Sequence, residues 1–207
     1  MPGFMRATLC TYPVRWLLVG TLWVISLIVG LSLLMNHDFA KGAAGHSPIN
    51  WPTESQIPRS DHDFTLVMFA HPRCPCTRAS LEELTKLLAA NKQSVKTNVV
   101  FYKPSGADDS WDHTDQSHTA AKIPNVSIVS DVNGIEARLF DAQTSGQTLL
   151  FGPTGELLFS GGITMARGHV GDNVGRDAIE AILSKSPPGT RTTPVYGCPI
   201  ILPTTGK

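Results

Sequence analysis

The chain divides by where its apolar residues fall. Residues 16–35 (WLLVGTLWVISLIVGLSLLM) are apolar or small on every side and carry no charge. At about 1.5 Å per residue they build a helix about 30 Å long, the depth of one bilayer crossing. A core helix of a water-soluble protein is the alternative, but such a helix normally keeps a polar stripe and none is present. Further on, residues 64–70 (FTLVMFA) form a continuous apolar run bounded by Asp61-His62-Asp63 and His71-Pro72, the pattern of a strand buried on both faces. Residues 76–91 then place Leu81, Leu84, Leu87 and Leu88 at spacings of three and four. With Glu82 and Glu83 early and Lys86 and Lys92 late, this is an amphipathic helix whose charges match its dipole.

The remaining pattern predicts strands over 97–103 (TNVVFYK) and 125–130 (NVSIVS), with short helices around 115–122 and 134–140. Residues 148–151 and 156–160 flank Gly152-Pro153-Thr154-Gly155 and predict a hairpin. A last helix is expected over 172–184, with Val174, Ala178, Ala181 and Ile182 on one side. Strand, helix, strand, helix, strand, hairpin, helix is an α/β order: a mixed sheet with helices on its faces, crossovers first and an antiparallel pair last. The predicted organisation is an N-terminus over 1–15, an anchor over 16–35, a linker over 36–60, a domain over 61–184 and a Pro-rich tail over 185–207. Gly42, Ala43, Ala44, Gly45, Pro48, Pro52 and Pro58 interrupt the linker, so a tether without elements of its own is expected there.

Charge orients this arrangement. Arg6 and Arg15 precede the apolar helix without any acid, so the N-terminus is expected in the cytoplasm and the domain outside, in the periplasm if the cell is Gram-negative. Cleavage near Gly42-Ala43-Ala44 is the alternative, but the apolar stretch is longer than the 7 to 15 residues usual for a signal peptide, which favours a retained anchor. Beyond residue 35 the chain has 15 Lys and Arg against 17 Asp and Glu, and the whole chain is neutral. Neither balance attracts phosphate backbones, so nucleic-acid partners are not expected. Four Cys in 207 residues are too few for a disulfide scaffold.

The chemistry concentrates in His71-Pro72-Arg73-Cys74-Pro75-Cys76-Thr77-Arg78, where strand gives way to helix. Unpaired amides and positive potential at a helix start favour thiolate, the nucleophilic form of Cys, and Arg73 and Arg78 add charge. Pro75 suits the first helical position, which puts Cys74 at the cap and Cys76 in the first turn of an exposed junction. A Cys-Pro-Cys bridge would be strained and easily reduced, as suits an exchanging site more than a staple. Cys10 falls on the cytoplasmic side, leaving Cys74, Cys76 and Cys198 together outside. Cys198 lies in an apolar patch of the tail, Val195 to Leu202, which is expected to fold back onto the domain. Residues 108–118 hold several Asp and His but lack an EF-hand's spacing, and read as a solvated acidic loop. No C-x-x-C-H, G-x-S-x-G, P-loop or Rossmann fingerprint is present.

Residues 69–76 (FAHPRCPC) resemble the strand, turn and redox motif of thioredoxin-like proteins, and residues 148–156 (TLLFGPTGE) resemble their later hairpin. The anchor, the HPxCPCTRAS stretch and the Cys198 tail are similar to membrane-anchored bacterial proteins of a group labelled RedB. The resemblance implies a thioredoxin-like fold over roughly 60–184 and thiol–disulfide exchange with protein thiols or disulfides. It departs in two places: Arg73 stands where the first Cys of a C-x-x-C is expected, and Gln147 stands where the family carries a cis-proline clamp. On this reading Cys74 attacks, being the more exposed thiol. Cys76 resolves, or Cys198 if the ring is too strained. Arg73 supports the thiolate, His71 carries a proton, and Arg167 and His169 line the site from a Gly-rich loop. The rival is a soft-metal site for Cu(I), made by Cys74 and Cys76 with Cys198 or a His, with no other cofactor expected. A third account is an interaction domain without chemistry.

Overall fold

The computed structural model describes residues 11–43, 45–91 and 95–201. Cys10, Ala44 of the possible processing site, Lys92 and residues 202–207 lie outside them. Two compact units are present, the first ending at Asp38 and the second starting at Phe39.

Helix α1 (Thr11–Asp38) forms the first unit. Its portion Val14–Asp38, with mean hydropathy 2.5, is long and apolar enough to cross a membrane. Thr21 and Ser26 donate their hydroxyls to the carbonyls of Leu17 and Leu22, four residues back, which satisfies both groups without water.

The second unit is a five-stranded sheet in the order β3-β2-β1-β4-β5. Strand β1 (Phe64–Ala70) lies at its centre, parallel to β2 (Val95–Lys103) and antiparallel to β4 (Gln147–Phe151). Strand β3 (Val126–Val132) extends the parallel edge and β5 (Leu157–Gly161) the antiparallel one. Helices α2 (Thr77–Ala90), α3 (Asp115–Ala121), α4 (Ile135–Leu139) and α5 (Val174–Leu183) complete a thioredoxin-like arrangement.

Alternation along β1 sends Leu66, Met68 and Ala70 to one core, with Leu81, Leu84 and Leu87 of α2 and Ile179 and Leu183 of α5. It sends Val67 and Phe69 to a second core, with Phe140, Leu149 and Phe151. From Leu66 to Ala70 the strand is therefore unbroken by polar residues because both faces are covered.

The second core also corrects the expected domain limits. Ile57 is buried in it, and Trp51 stacks edgewise on Phe140 and Phe151 at 5.1 and 5.0 Å. The Trp51 amide bonds to the Gly155 carbonyl and the Leu157 amide to Ile49, both at 2.8 Å. The supposed tether thus lies along the domain, because Trp51 and Ile57 supply apolar surface that α4 is too short to cover. From the other end Ile200 enters the same core, and Ile200 N–H bonds to the Gln143 carbonyl at 2.9 Å. The tail folds back as expected.

Candidate functional site

The site forms where β1 ends and α2 begins, beneath the returning tail. Between Ala70 and Thr77 the chain makes tight turns, with Cys74 N–H on the His71 carbonyl and Thr77 N–H on the Cys74 carbonyl, both at 3.1 Å. Helix α2 starts two residues later than the Pro75 position predicts. Its N-cap is Cys76, with helical φ and ψ of −67° and −23°, because these short turns precede the regular ladder.

Neither thiol of the pair is exposed as expected: Cys74 is 1% and Cys76 8% accessible. The tail accounts for the cover over Cys74. Val195 and Cys198 are held by backbone hydrogen bonds from Gly42 and Ser145, both at 2.8 Å, and Pro199 bridges to Thr144. Gly197 is required there, since a Cβ would collide with the Ser145 carbonyl.

Cys74, Cys76 and Cys198 converge, with Arg167 beside Cys76 and Cys198. Burial alone would raise the Cys74 pKa. Hydrogen bonds from the Cys198 thiol, the Cys198 and Cys76 amides and the Ser145 hydroxyl outweigh it and bring Cys74 below an ordinary thiol. Burial and the negative charge of Cys74 push Cys76 up, with Arg167 opposing. Burial, its hydrogen bond to Cys74 and the neighbouring thiolate charges push Cys198 up to about 12. The cluster therefore makes Cys74 the most acidic of its three thiols.

Ser145 is central to that bias, and sequence reasoning missed it. Its oxygen accepts from the His71 amide at 3.0 Å and lies 2.9 Å from the Thr77 hydroxyl. Thr77 donates to the His71 carbonyl, so the single Ser145 proton is available to either the Thr77 oxygen or the Cys74 sulfur. Gln116, also missed, donates to the Cys74 carbonyl at 2.7 Å and ties α3 to the turn. A polar Thr144-Ser145-Gly146 before a strand is the only sequence signal for Ser145, and Gln116 has none.

The other expected residues divide. Arg167 reaches the thiols, with its Nε on the Ala40 carbonyl at 3.0 Å. Arg73 turns outward, its guanidinium 4.6 Å from the centre of the Trp111 ring, so it supplies no charge to the thiols. His71 flanks the turn, stacked on Tyr102 and edge-on to Trp111. Burial and the charge of Arg73 lower its pKa, and its Nδ1 accepts from the Arg73 amide at 3.2 Å, which leaves the proton of the neutral ring on Nε2. His169 is exposed and bonds to the Arg167 carbonyl, away from the sulfurs.

Gln147 does not occupy the clamp. It opens β4 opposite Phe69, and its amide bonds to Gln143 and Ser47. Ser145 takes the place facing the thiols, and every peptide bond among the described residues is trans. As for the soft-metal rival, among the described residues no group of three or more His, Cys, Asp or Glu is arranged to hold an ion.

No protein-family model and no curated protein matches the sequence. Among solved structures it is similar to an uncharacterized conserved protein from Geobacillus kaustophilus, with 18% identity over 81% of this chain and 95% of that one and a TM-score of 0.58. A hypothetical protein from Sinorhizobium meliloti 1021 is alike at 20% identity, over 81% and 96%, again with a TM-score of 0.58. A looser likeness, TM-score 0.41 and 13% identity over 61% and 83%, is to a secreted Mycobacterium tuberculosis disulfide oxidoreductase. At these identities the likeness is one of fold.

Proposed function

We propose that this chain is a membrane-anchored, extracytoplasmic thiol–disulfide oxidoreductase of the RedB type, with Cys74 as its nucleophile and protein thiols or disulfides as its partners. The observation that carries the reading is the ring of donors around the Cys74 sulfur at the end of β1, which favours thiolate even though the site is buried. Thiolate fraction governs attack on a disulfide, so the more acidic Cys74 is the nucleophile, although Cys76 is the more accessible of the two. Attack forms a mixed disulfide and releases the partner's other sulfur as thiolate, and a second thiol of the cluster then completes the exchange. Arg167, the cation that the described residues bring to the sulfurs, attracts the departing thiolate. Support for the location comes from α1, long and apolar enough to span, with Arg15 at its start.

Catalysed reduction of a small peptide disulfide, driven by dithiothreitol, tests this with the full chain in detergent. Turnover well above background is expected, with at least about a hundredfold loss in Cys74→Ser, since the uncatalysed thiol reaction is all that remains. Tight Cu(I) binding in competition with a chelator, without turnover, would replace the proposal with the metal reading.

A further inference from the structure

The tail raises a question that the exchange reading leaves open: which thiol resolves Cys74. We infer that Cys198 does so, carried on a strap over residues 194–201 that covers Cys74 in the reduced protein and is joined to it by a disulfide in the oxidised protein. This rests on the proposed exchange activity and adds to it the resolving residue and the movement that admits a partner.

The geometry separates the two candidates. Cys76 is the N-cap of α2, and Cys74 and Cys76 accept backbone hydrogen bonds from Thr77 and Ala79 at 3.1 and 3.2 Å. Closing the small Cys-Pro-Cys ring requires the pair to leave these turns and unwind the helix start. Cys198 approaches from a separate segment: its carbonyl accepts from the Ser145 amide at 2.8 Å, and the Ser145 hydroxyl accepts from His71 and lies 2.9 Å from Thr77, on the turn that carries Cys74. Joining them disturbs no helix. The strap is also suited to local opening. At Cys198 its carbonyl accepts one backbone hydrogen bond, from Ser145, while Ile200, buried to 1%, keeps the end docked in the second core.

The chemistry balances. The Cys74 thiolate attacks one sulfur of a partner disulfide, the partner's S–S bond breaks, and the released thiolate takes a proton from solvent. In the resulting Cys74–partner disulfide the Cys74 sulfur no longer holds the Cys198 proton, so Cys198 gives it up more readily than before. Its sulfur attacks that of Cys74, the bond to the partner breaks, and the second partner thiolate leaves with the proton that Cys198 gave up. Two electrons pass from Cys74 and Cys198 to the partner, which ends as two thiols. A dithiol partner reverses the sequence.

The test uses the full chain carrying Cys10→Ser, which leaves only Cys74, Cys76 and Cys198. Reaction with one equivalent of a peptide disulfide, alkylation and digestion locate the new bond by mass spectrometry. A Cys74–Cys198 link is expected. Cys198→Ser should hold the mixed disulfide at least about tenfold longer than the parent, whereas Cys76→Ser should still release it. Mapping in the unsubstituted cluster keeps the test valid if a variant folds poorly. A Cys74–Cys76 link, with Cys76→Ser as the trapping variant, overturns the inference and leaves the exchange activity standing. Absence of any protein disulfide, with Cys74→Ser reacting like the parent, overturns both.

Discussion

At Cys74, burial and hydrogen bonding act in opposite directions, and hydrogen bonding wins. Donors around the sulfur bring its pKa below that of an ordinary thiol, and Ser145→Ala removes one of them. We expect the pH profile of Cys74 alkylation, followed by mass spectrometry, to shift upward by about one pH unit in that variant, the scale of one lost hydrogen bond to a charged group. An unchanged profile would show that Ser145 serves only Thr77 and His71. The same displacement links to stability. Folded Cys74 gives up its proton at lower pH than the unfolded chain, so its contribution is present above the unfolded thiol range and is lost as pH falls through the folded value. Cys198 acts in the opposite sense: its contribution is present below the unfolded range and lost as pH rises towards about 12. Cys74, Cys76 and their place at a strand end were legible because that pattern is local. It misassigned the cation, because Arg73 and Arg167 differ only in where the folded chain points them, and Trp111 claims the first.

Among the elements, α2 and α5 are joined by a charge that apolar periodicity does not predict. Glu83 has no exposed surface, and Arg176 of α5 lies 2.5 Å from its Oε2. Lys86, Asn173 and the Gly171 amide also bond to it, at 3.1, 3.1 and 2.9 Å. Gly171 and Asn173 follow the loop that carries Arg167, so Glu83 fixes the approach of that cation to the thiols. Arg176→Met would leave Glu83 buried without its closest partner. A loss of about 3 to 5 kcal/mol is expected, seen as a Tm lower by about 10 °C in thermal unfolding. A change within 2 °C would mean that Lys86 and water suffice. The strap makes a second element-scale prediction: Ile200→Ala should cost about 2 to 4 kcal/mol and speed Cys74 alkylation at least about tenfold, since the plug that docks the cover is gone. Strands and long helices were legible because each carries its own period. The contributions of Trp51, Ile57 and Ile200 were not, since single apolar residues among Pro, Gly and Thr show no period until a core receives them.

For the whole molecule, the proposed function gives the apolar helix, long enough to cross a membrane, the anchoring and the second unit the chemistry. With the N-terminus inside, protease added to spheroplasts of a bacterial host should digest the domain while α1 stays with the membrane; a fully protected domain would place the thiols in the cytosol and remove their oxidising partners. The central claim is that the clustered thiols form a reversible redox couple. Equilibrating the full chain bearing Cys10→Ser across glutathione buffers of increasing oxidation, then counting free thiols by alkylation and mass, tests it directly. The account predicts that two of the three remaining thiols are lost together in one reversible two-electron transition and that the third stays free. Three thiols still free in the most oxidising buffer, or a loss that reduction cannot reverse, would contradict it.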